Sequence, residues 1–322
     1  MANSAEKPRF TFFGTPNFAK IVLDELEQRG YVPALVITAP DRPKGRKLVV
    51  TPSEVRVWAE SRNIPVLTPE KLRDETFLTT LKRASCDLFI VAAYGKIIPK
   101  MILDMPQHGV LNVHPSLLPL FRGPSPIESA ILSDETSTGV TIILLDEETD
   151  HGPIVTQQVV RGPTLRTDAQ EIQGRTLGIN SSRSDLVFPE WPPKGSVLTE
   201  TLAREGGILL AETLPDWVSG KVTAEPQDHA RATFTKKIVK EDGAIDLAGD
   251  PSMNYKKIRA FDEWPGAYFF AERNGKKVRV RIADATYTDG KLTIIRVVPE
   301  GKREMAYDDF LRGANSTGRK TA

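Results

Sequence analysis

Over residues 9–160, short apolar runs alternate with stretches patterned for helix, and few folds accommodate that rhythm. Residues 9–14 (Arg-Phe-Thr-Phe-Phe-Gly) read as a buried strand closed by Gly14. Thr15-Pro16 then starts a helix, Phe18, Ile21, Val22 and Leu26 follow at helical spacing, and Gly30 ends it. Further strands are expected at 33–39, 64–67, 87–92 and 109–113, with helices near 53–62, 70–84, 97–103 and 124–133. Strands that alternate with helices in this way belong to an α/β fold with a doubly wound, mainly parallel sheet. Val140–Leu145 and Ile154–Val160 read as two more strands, paired as a hairpin at the sheet edge.

The rhythm then breaks. Residues 163–196 are rich in Gly, Asn, Ser, Asp and Pro with little periodicity, and read as a long loop or insertion. A helix resumes at 197–219, with Leu198, Leu202, Leu209, Leu210 and Leu214 on or near one face. Residues 221–233 read as a linker. Beyond it, runs at 277–283, 285–288 and 292–298, with turns at Asn274-Gly and Asp289-Gly, fit a small β-barrel. The expected organisation is a catalytic domain over 1–220 with an insertion or flexible loop at 165–195, a linker over 221–233, and a C-terminal domain over 234–322.

Composition narrows the setting. No apolar stretch approaches the roughly 18–20 residues of a membrane span. The N-terminal residues carry neither a signal peptide's apolar core nor an Arg-rich leader. A single cysteine, Cys86, leaves no intramolecular disulfide and no multi-cysteine zinc site. A cytoplasmic protein is expected. The net charge of +1 hides an asymmetry. From Arg231 onward 19 Lys and Arg stand against 13 Asp and Glu, a net +6, and the preceding residues carry −5. A basic C-terminal part on an acidic body suits a polyanionic partner, or is simply an uneven solvated surface.

Three segments could carry chemistry. In the first, Leu111–Ile127, Asn112 and His114 lie two apart at the end of a strand, so both side chains share one face. Ligands of open α/β sheets bind at the carboxyl ends of strands. An amide and an imidazole aimed at one point can donate hydrogen bonds to a developing oxyanion. The plainer reading, an Asn serving a turn and a His satisfied by backbone, loses ground to the rigid Pro- and Gly-rich loop that follows. In the second, Asp146–Pro153, a carboxylate can meet His114 in space and set its tautomer; for Asp146, Glu147 and Glu148 an acidic loop is the better reading. Asp150-His151 raises a metal site, but four histidines without ligand spacing give it little support, and no metal is expected. In the third, Arg42, Lys44, Arg46 and Lys47 place four positive charges on an extended loop able to track phosphates or to sit solvated. Gly14-Thr-Pro is not a dinucleotide fingerprint, and no phosphate-binding loop with Gly-Lys-Ser/Thr occurs.

With these residues in view, the chain resembles the methionyl-tRNA formyltransferase family along nearly its whole length. The resemblance is carried by Phe12-Phe-Gly-Thr-Pro-Asn-Phe-Ala19, Pro40-Asp-Arg-Pro-Lys-Gly-Arg-Lys-Leu48, Ala92-Ala-Tyr-Gly-Lys-Ile-Ile-Pro99, Asn112-Val-His-Pro-Ser-Leu-Leu-Pro119, Arg122-Gly-Pro-Ser-Pro-Ile127 and Asp150-His-Gly-Pro153. It continues through Lys237–Asp246 and Ile258–Tyr268. The resemblance implies a Rossmann-like formyltransferase domain followed by an OB-like β-barrel. It implies catalytic roles for Asn112, His114 and Asp150, folate contacts from Ser116, Leu117, Leu118 and Pro119, and tRNA contacts from Arg42, Lys44, Arg46 and Lys47. The implied reaction moves a formyl group from 10-formyltetrahydrofolate to the α-amino group of methionyl initiator tRNA, with no metal, on a monomer. The Asn-x-His and Asp set is common to formyltetrahydrofolate-using enzymes, so it marks the chemistry more sharply than the acceptor. A nucleotide-sugar N-formyltransferase is the alternative, and a non-catalytic tRNA-binding protein on the same fold is another. The chain departs from the family in three places: the insertion at 165–195, Leu120-Phe121 before Arg122 where another Arg or Lys is common, and His151, where a small or hydroxyl residue is common.

The mechanism expected on that basis is direct. An α-amino group has a pKa of about 7.7–8.0 and is partly neutral at pH 7, so the amine needs little activation. The harder task is holding the oxyanion, for which Asn112 is the main donor with His114 assisting. Asp150 orients His114 and helps move the proton.

Overall fold

The computed structural model describes residues 7–44, 48–133, 135–163, 186–273 and 275–315. They form two compact units, the first from Met1–Pro126, Ser137–Pro189 and Thr199–Thr235, the second from Ile127–Thr136, Glu190–Leu198 and Lys236–Ala322. Residues 221–233, expected as a linker, therefore pack into the first unit, because their backbone hydrogen-bonds to its loops: Glu225 bridges Ile154 and Thr233 bridges Arg122.

The first unit is built on an eight-stranded sheet. In chain order its strands are β1 (Phe10–Gly14), β2 (Leu35–Ile37), β5 (Val66–Leu67), β6 (Leu88–Ala92), β7 (Val110–His114), β8 (Ser137–Leu144), β9 (Ile154–Arg161) and β10 (Leu186–Val187), with β3 (Arg42–Lys44) and β4 (Val49–Thr51) in a separate hairpin. The spatial order is β10-β9-β8-β7-β6-β1-β2-β5. From β5 to β7 every pair is parallel; β8 runs antiparallel to both β7 and β9. Strands β1, β6 and β7 are buried at every position, which is why they read as unbroken apolar runs rather than alternating ones. The β8–β9 hairpin is not the sheet edge, since Leu186–Val187 adds parallel to β9. That strand falls inside the expected 165–195 insertion; the part of the insertion over 165–185 lies outside the described residues.

Topology decides where a site can lie. From β1 the chain winds outward through β2 to β5, then returns to the other side of β1 as β6. The strand order reverses between β1 and β6, and the crevice beyond their carboxyl ends is where such sheets take ligands. Behind the sheet runs the helix Gly195–Val218. It comes close because Gly206 has no side chain: a Cβ there would stand 2.5 Å from a methyl of Val113, the residue between Asn112 and His114.

The second unit holds a four-stranded antiparallel sheet of β11 (Tyr268–Arg273), β12 (Lys276–Thr288), β13 (Lys291–Pro299) and β14 (Met305–Ala306), in that order. The runs at 277–283 and 285–288 are one strand, kept continuous through a register irregularity at Ile282–Ala285. Ile245, Ile258, Phe269, Val280, Ile282, Val297 and Phe310 form its core.

Candidate active site

The loops that follow β6, β7 and β8, with the end of β7, line a cavity of about 560 Å³ on the first sheet. Its apolar wall comes from Val91, Ile97, Ile98, Leu103 and Leu145, and its polar groups include Asn112, His114 and Asp150. A volume of this order suits a small-molecule ligand.

Asn112 and His114 reach it by strand alternation. They pair in register with Ile143 and Thr141 of β8 and are 8% and 4% exposed. His114 Nε2 lies 3.1 Å from the carbonyl oxygen of Phe121, and because a carbonyl only accepts, Nε2 carries the hydrogen. Nδ1 is then turned to Asp150 Oδ1 at 3.4 Å. In this tautomer the ring nitrogen that faces the carboxylate is an acceptor, so the two atoms stand as a pair of proton acceptors across a short gap. Asp150 Oδ2 accepts from the backbone N–H of Gly123 at 2.8 Å. Asp150 itself sits at φ 49, a left-handed conformation rare for residues other than glycine, which aims its side chain inward.

The loop Ala92–Pro99 supplies the opposite wall. Tyr94 is 4% exposed and its hydroxyl has no hydrogen-bond partner among the described residues. Burial pushes its phenol up to about 12, so it remains a hydrogen-bond donor at neutral pH. Asp146, Glu147 and Glu148 also line the cavity. The sequence showed them only as an acidic loop, and nothing local announces that the β8–β9 turn folds over the strand ends.

The segment of the expected folate contacts, 116–119, follows the strand end that carries His114. Ser116, Leu117, Leu118 and Pro119 do not line this cavity. Ser116 and Leu118 are 0% and 3% exposed. The Ser116 hydroxyl donates to the Leu120 carbonyl at 2.6 Å. Thr141 Oγ1 donates to the Ser116 carbonyl and accepts from the Leu118 N–H, while Gln157 Nε2 donates to the Leu118 carbonyl. These bonds fix the path of the chain from His114 to Phe121.

Arg42 and Lys44, expected on an extended loop, belong to the β3–β4 hairpin, paired as Arg42 with Thr51 and Lys44 with Val49. Arg42 is exposed. Leu48, Val49 and Val50 beside it are exposed too, at 70%, 60% and 63%. An ion pair between Asp41 and Arg56 at 2.8 Å ties the base of the hairpin to the following helix. Arg46 and Lys47 lie outside the described residues.

The lone cysteine stands apart from this chemistry. Burial pushes the Cys86 thiol up, away from a reactive thiolate, and it packs against the core cluster that includes Phe13, Phe89 and Val110.

Comparison with known proteins converges on one family. Residues 8–181 match the formyl transferase family and residues 237–289 match the formyl transferase C-terminal domain. The chain is 38% identical over 329 aligned positions to a methionyl-tRNA formyltransferase of Chloroflexus aurantiacus, covering 96% of this chain and 97% of that one. Its fold is shared with a methionyl-tRNA formyltransferase of Clostridium thermocellum (TM-score 0.56, 14% identity, covering 91% of this chain and 98% of that one). It is shared too with HypX of Aquifex aeolicus solved in complex with tetrahydrofolic acid (TM-score 0.60, 16% identity, covering 95% of this chain and 47% of that one). The chain belongs to the methionyl-tRNA formyltransferase family.

Proposed function

We propose that this chain transfers a formyl group from 10-formyltetrahydrofolate to the α-amino group of methionyl initiator tRNA, and that Asn112, His114 and Asp150 perform the transfer. One observation carries the chemistry: an amide, and an imidazole paired with a carboxylate, converge on one cavity at the end of β7. The acceptor rests on the relatives' names and on the basic hairpin.

The cavity suits the donor by its character. Val91, Ile97, Ile98, Leu103 and Leu145 offer an apolar surface to a ring system, and the Tyr94 hydroxyl, unpartnered among the described residues, sits in the loop that forms this wall. The folate supplies an activated formyl carbon, and the protein's residues do the rest. The Asn112 amide makes no hydrogen bond to another side chain or to the backbone among the described residues, so its N–H groups are available to an oxygen that gains negative charge. Such a preorganised donor acts without reorganising as charge develops. The balanced step forms a bond from the amine nitrogen to the formyl carbon and breaks the bond from that carbon to the donor nitrogen. One proton passes from the first nitrogen to the second. The slot between His114 Nδ1 and Asp150 Oδ1 holds that proton in transit.

The deciding experiment offers the enzyme three acceptors with 10-formyltetrahydrofolate: charged initiator tRNA, charged elongator tRNA and an amino-sugar nucleotide. Formylation confined to the initiator tRNA is expected. Transfer to the sugar nucleotide with neither tRNA used would replace this reading with a sugar N-formyltransferase.

A further inference from the structure

The segment between the helix Gly195–Val218 and Thr235 forms a strap against Ile154 and the loops that carry Arg122 and Asp150. Glu225 exchanges two backbone hydrogen bonds with Ile154, while Thr233 and Thr235 pair with Phe121–Arg122. At the strap's centre stands Gln227, 4% exposed. Its Nε2 donates to the carbonyls of Asp150 at 2.9 Å and Gly152 at 2.7 Å. Its Oε1 accepts from Arg122 Nε at 3.1 Å and Nη2 at 2.7 Å. Both amide hydrogens and both lone pairs are used, so the amide has one orientation: turned over, it would set N–H against guanidinium and oxygen against two carbonyls.

We propose that Gln227 is a positioning residue for formyl transfer, holding the Asp150 peptide so that the carboxylate meets His114, with Arg122 holding Gln227 in turn. This rests on the reading of His114 and Asp150 as the proton-carrying pair. Asp150 keeps a costly positive φ, and such a conformation persists only where its surroundings hold it. Gly123 fixes one end of the residue through Oδ2 and Gln227 fixes the other through the main-chain oxygen. Gly152 is held equally closely, since a Cβ there would lie 1.9 Å from the Leu144 carbonyl.

The support of Gln227 is itself layered. Arg122 is 3% exposed; burial lowers its pKa, and the carboxylates of Asp150, Asp146 and Glu148 act against that. Its Nη2 also donates to His229 Nδ1 at 2.9 Å. The His229 ring stacks on His151, with centroids 4.1 Å apart and planes within 5°. His151 Nδ1 in turn lies 2.6 Å from Asp146 Oδ2. The histidine that departs from the family pattern thus has a place: it closes the far side of the clamp around Asp150.

The test is a double-mutant cycle on the full chain with charged initiator tRNA and 10-formyltetrahydrofolate. Gln227→Glu still accepts from Arg122 but sets a carboxylate oxygen against the Asp150 and Gly152 carbonyls. Gln227→Leu, similar in volume, is the second variant and is read in the same way should the first fail to fold. Each should lower kcat roughly tenfold or more, with KM for both substrates within about twofold, since misplacing a reacting group penalises the step rather than binding. On an Asp150→Ala background the same substitution should cost less than about twofold more. A folded Gln227 variant with unchanged kcat overturns the proposal. So does a penalty that persists in full without the Asp150 carboxylate, because the residue would then act on general architecture. Full activity of Asp150→Ala alone is a separate result that removes the proton-pair reading on which the proposal stands.

Discussion

The cavity around Asn112 and the hairpin around Arg42 stand for two ways of using polar residues. Asn112 and His114 are buried in an apolar strand, fixed by register and by partners. Arg42 stands exposed on a short hairpin with apolar neighbours equally exposed. Bond-making needs groups placed within fractions of an ångström, so its residues sit where packing allows no alternative. Recognition of a polyanion needs charge near phosphates, and several cations share the task without a unique geometry. Loss at the first site should therefore be steep and independent of salt, and loss at the second graded and salt-sensitive.

The largest expected effect tests the first half of that contrast. Asn112→Ala should reduce kcat by about 10²–10³ while KM for tRNA and the thermal midpoint change little. Single-turnover rates at low and high ionic strength should show the same ratio to wild type. Near-normal turnover in a folded Asn112→Ala would remove the oxyanion assignment.

Replacing Arg42, Lys44, Arg46 and Lys47 together by Ala addresses the other half. Use of charged initiator tRNA, measured as kcat/KM, should fall by roughly 10² at physiological salt, and the dependence of affinity on salt should flatten by up to about four charges' worth of counterion release. Donor binding, followed by fluorescence quenching with a folate analogue, should stay unchanged. A variant that uses tRNA normally, with the same salt slope, would show that the hairpin is not where the acceptor is held.

A smaller effect sharpens the account of the cavity. The Tyr94 hydroxyl is buried without a partner among the described residues, and leaving such a group unsatisfied costs about 1–3 kcal/mol. Tyr94→Phe should therefore be at least as stable as wild type by urea titration. If the hydroxyl meets the donor, KM for 10-formyltetrahydrofolate should rise several-fold with kcat little changed. A variant with both lower stability and an unaltered KM would place the partner of Tyr94 inside the protein.

The least effect belongs to Cys86. Burial keeps it a thiol, so Cys86→Ala should keep nearly full turnover, and mass spectrometry of enzyme quenched during turnover should find no formyl group on the protein. A formyl-thioester at Cys86 would overturn direct transfer.

Much of this molecule was written in local patterns. The order of strands and helices followed from apolar runs that only a doubly covered sheet can bury, as at Phe10–Gly14 and Leu88–Ala92. Asn112 and His114 stood out because period-two geometry places alternate residues on one face, and two polar groups ending an apolar strand ask for a reason. What local pattern could not carry is contact between distant segments. Gln227 lies 77 residues from Asp150 and 105 from Arg122, within a stretch that reads as a linker because it has no periodicity. Only the folded chain, by pairing Glu225 with Ile154 and Thr233 with Arg122, turned that stretch into a support for Asp150. The same holds at Ser116 and Leu118, whose backbone groups are bound by Thr141 and Gln157 from neighbouring strands, partners no local pattern announces. Secondary structure and side-chain facing depend on neighbours along the chain, so the sequence determined them. Which hydrogen-bonding groups remain free for a ligand depends on partners brought together by packing, and only the tertiary structure decided that.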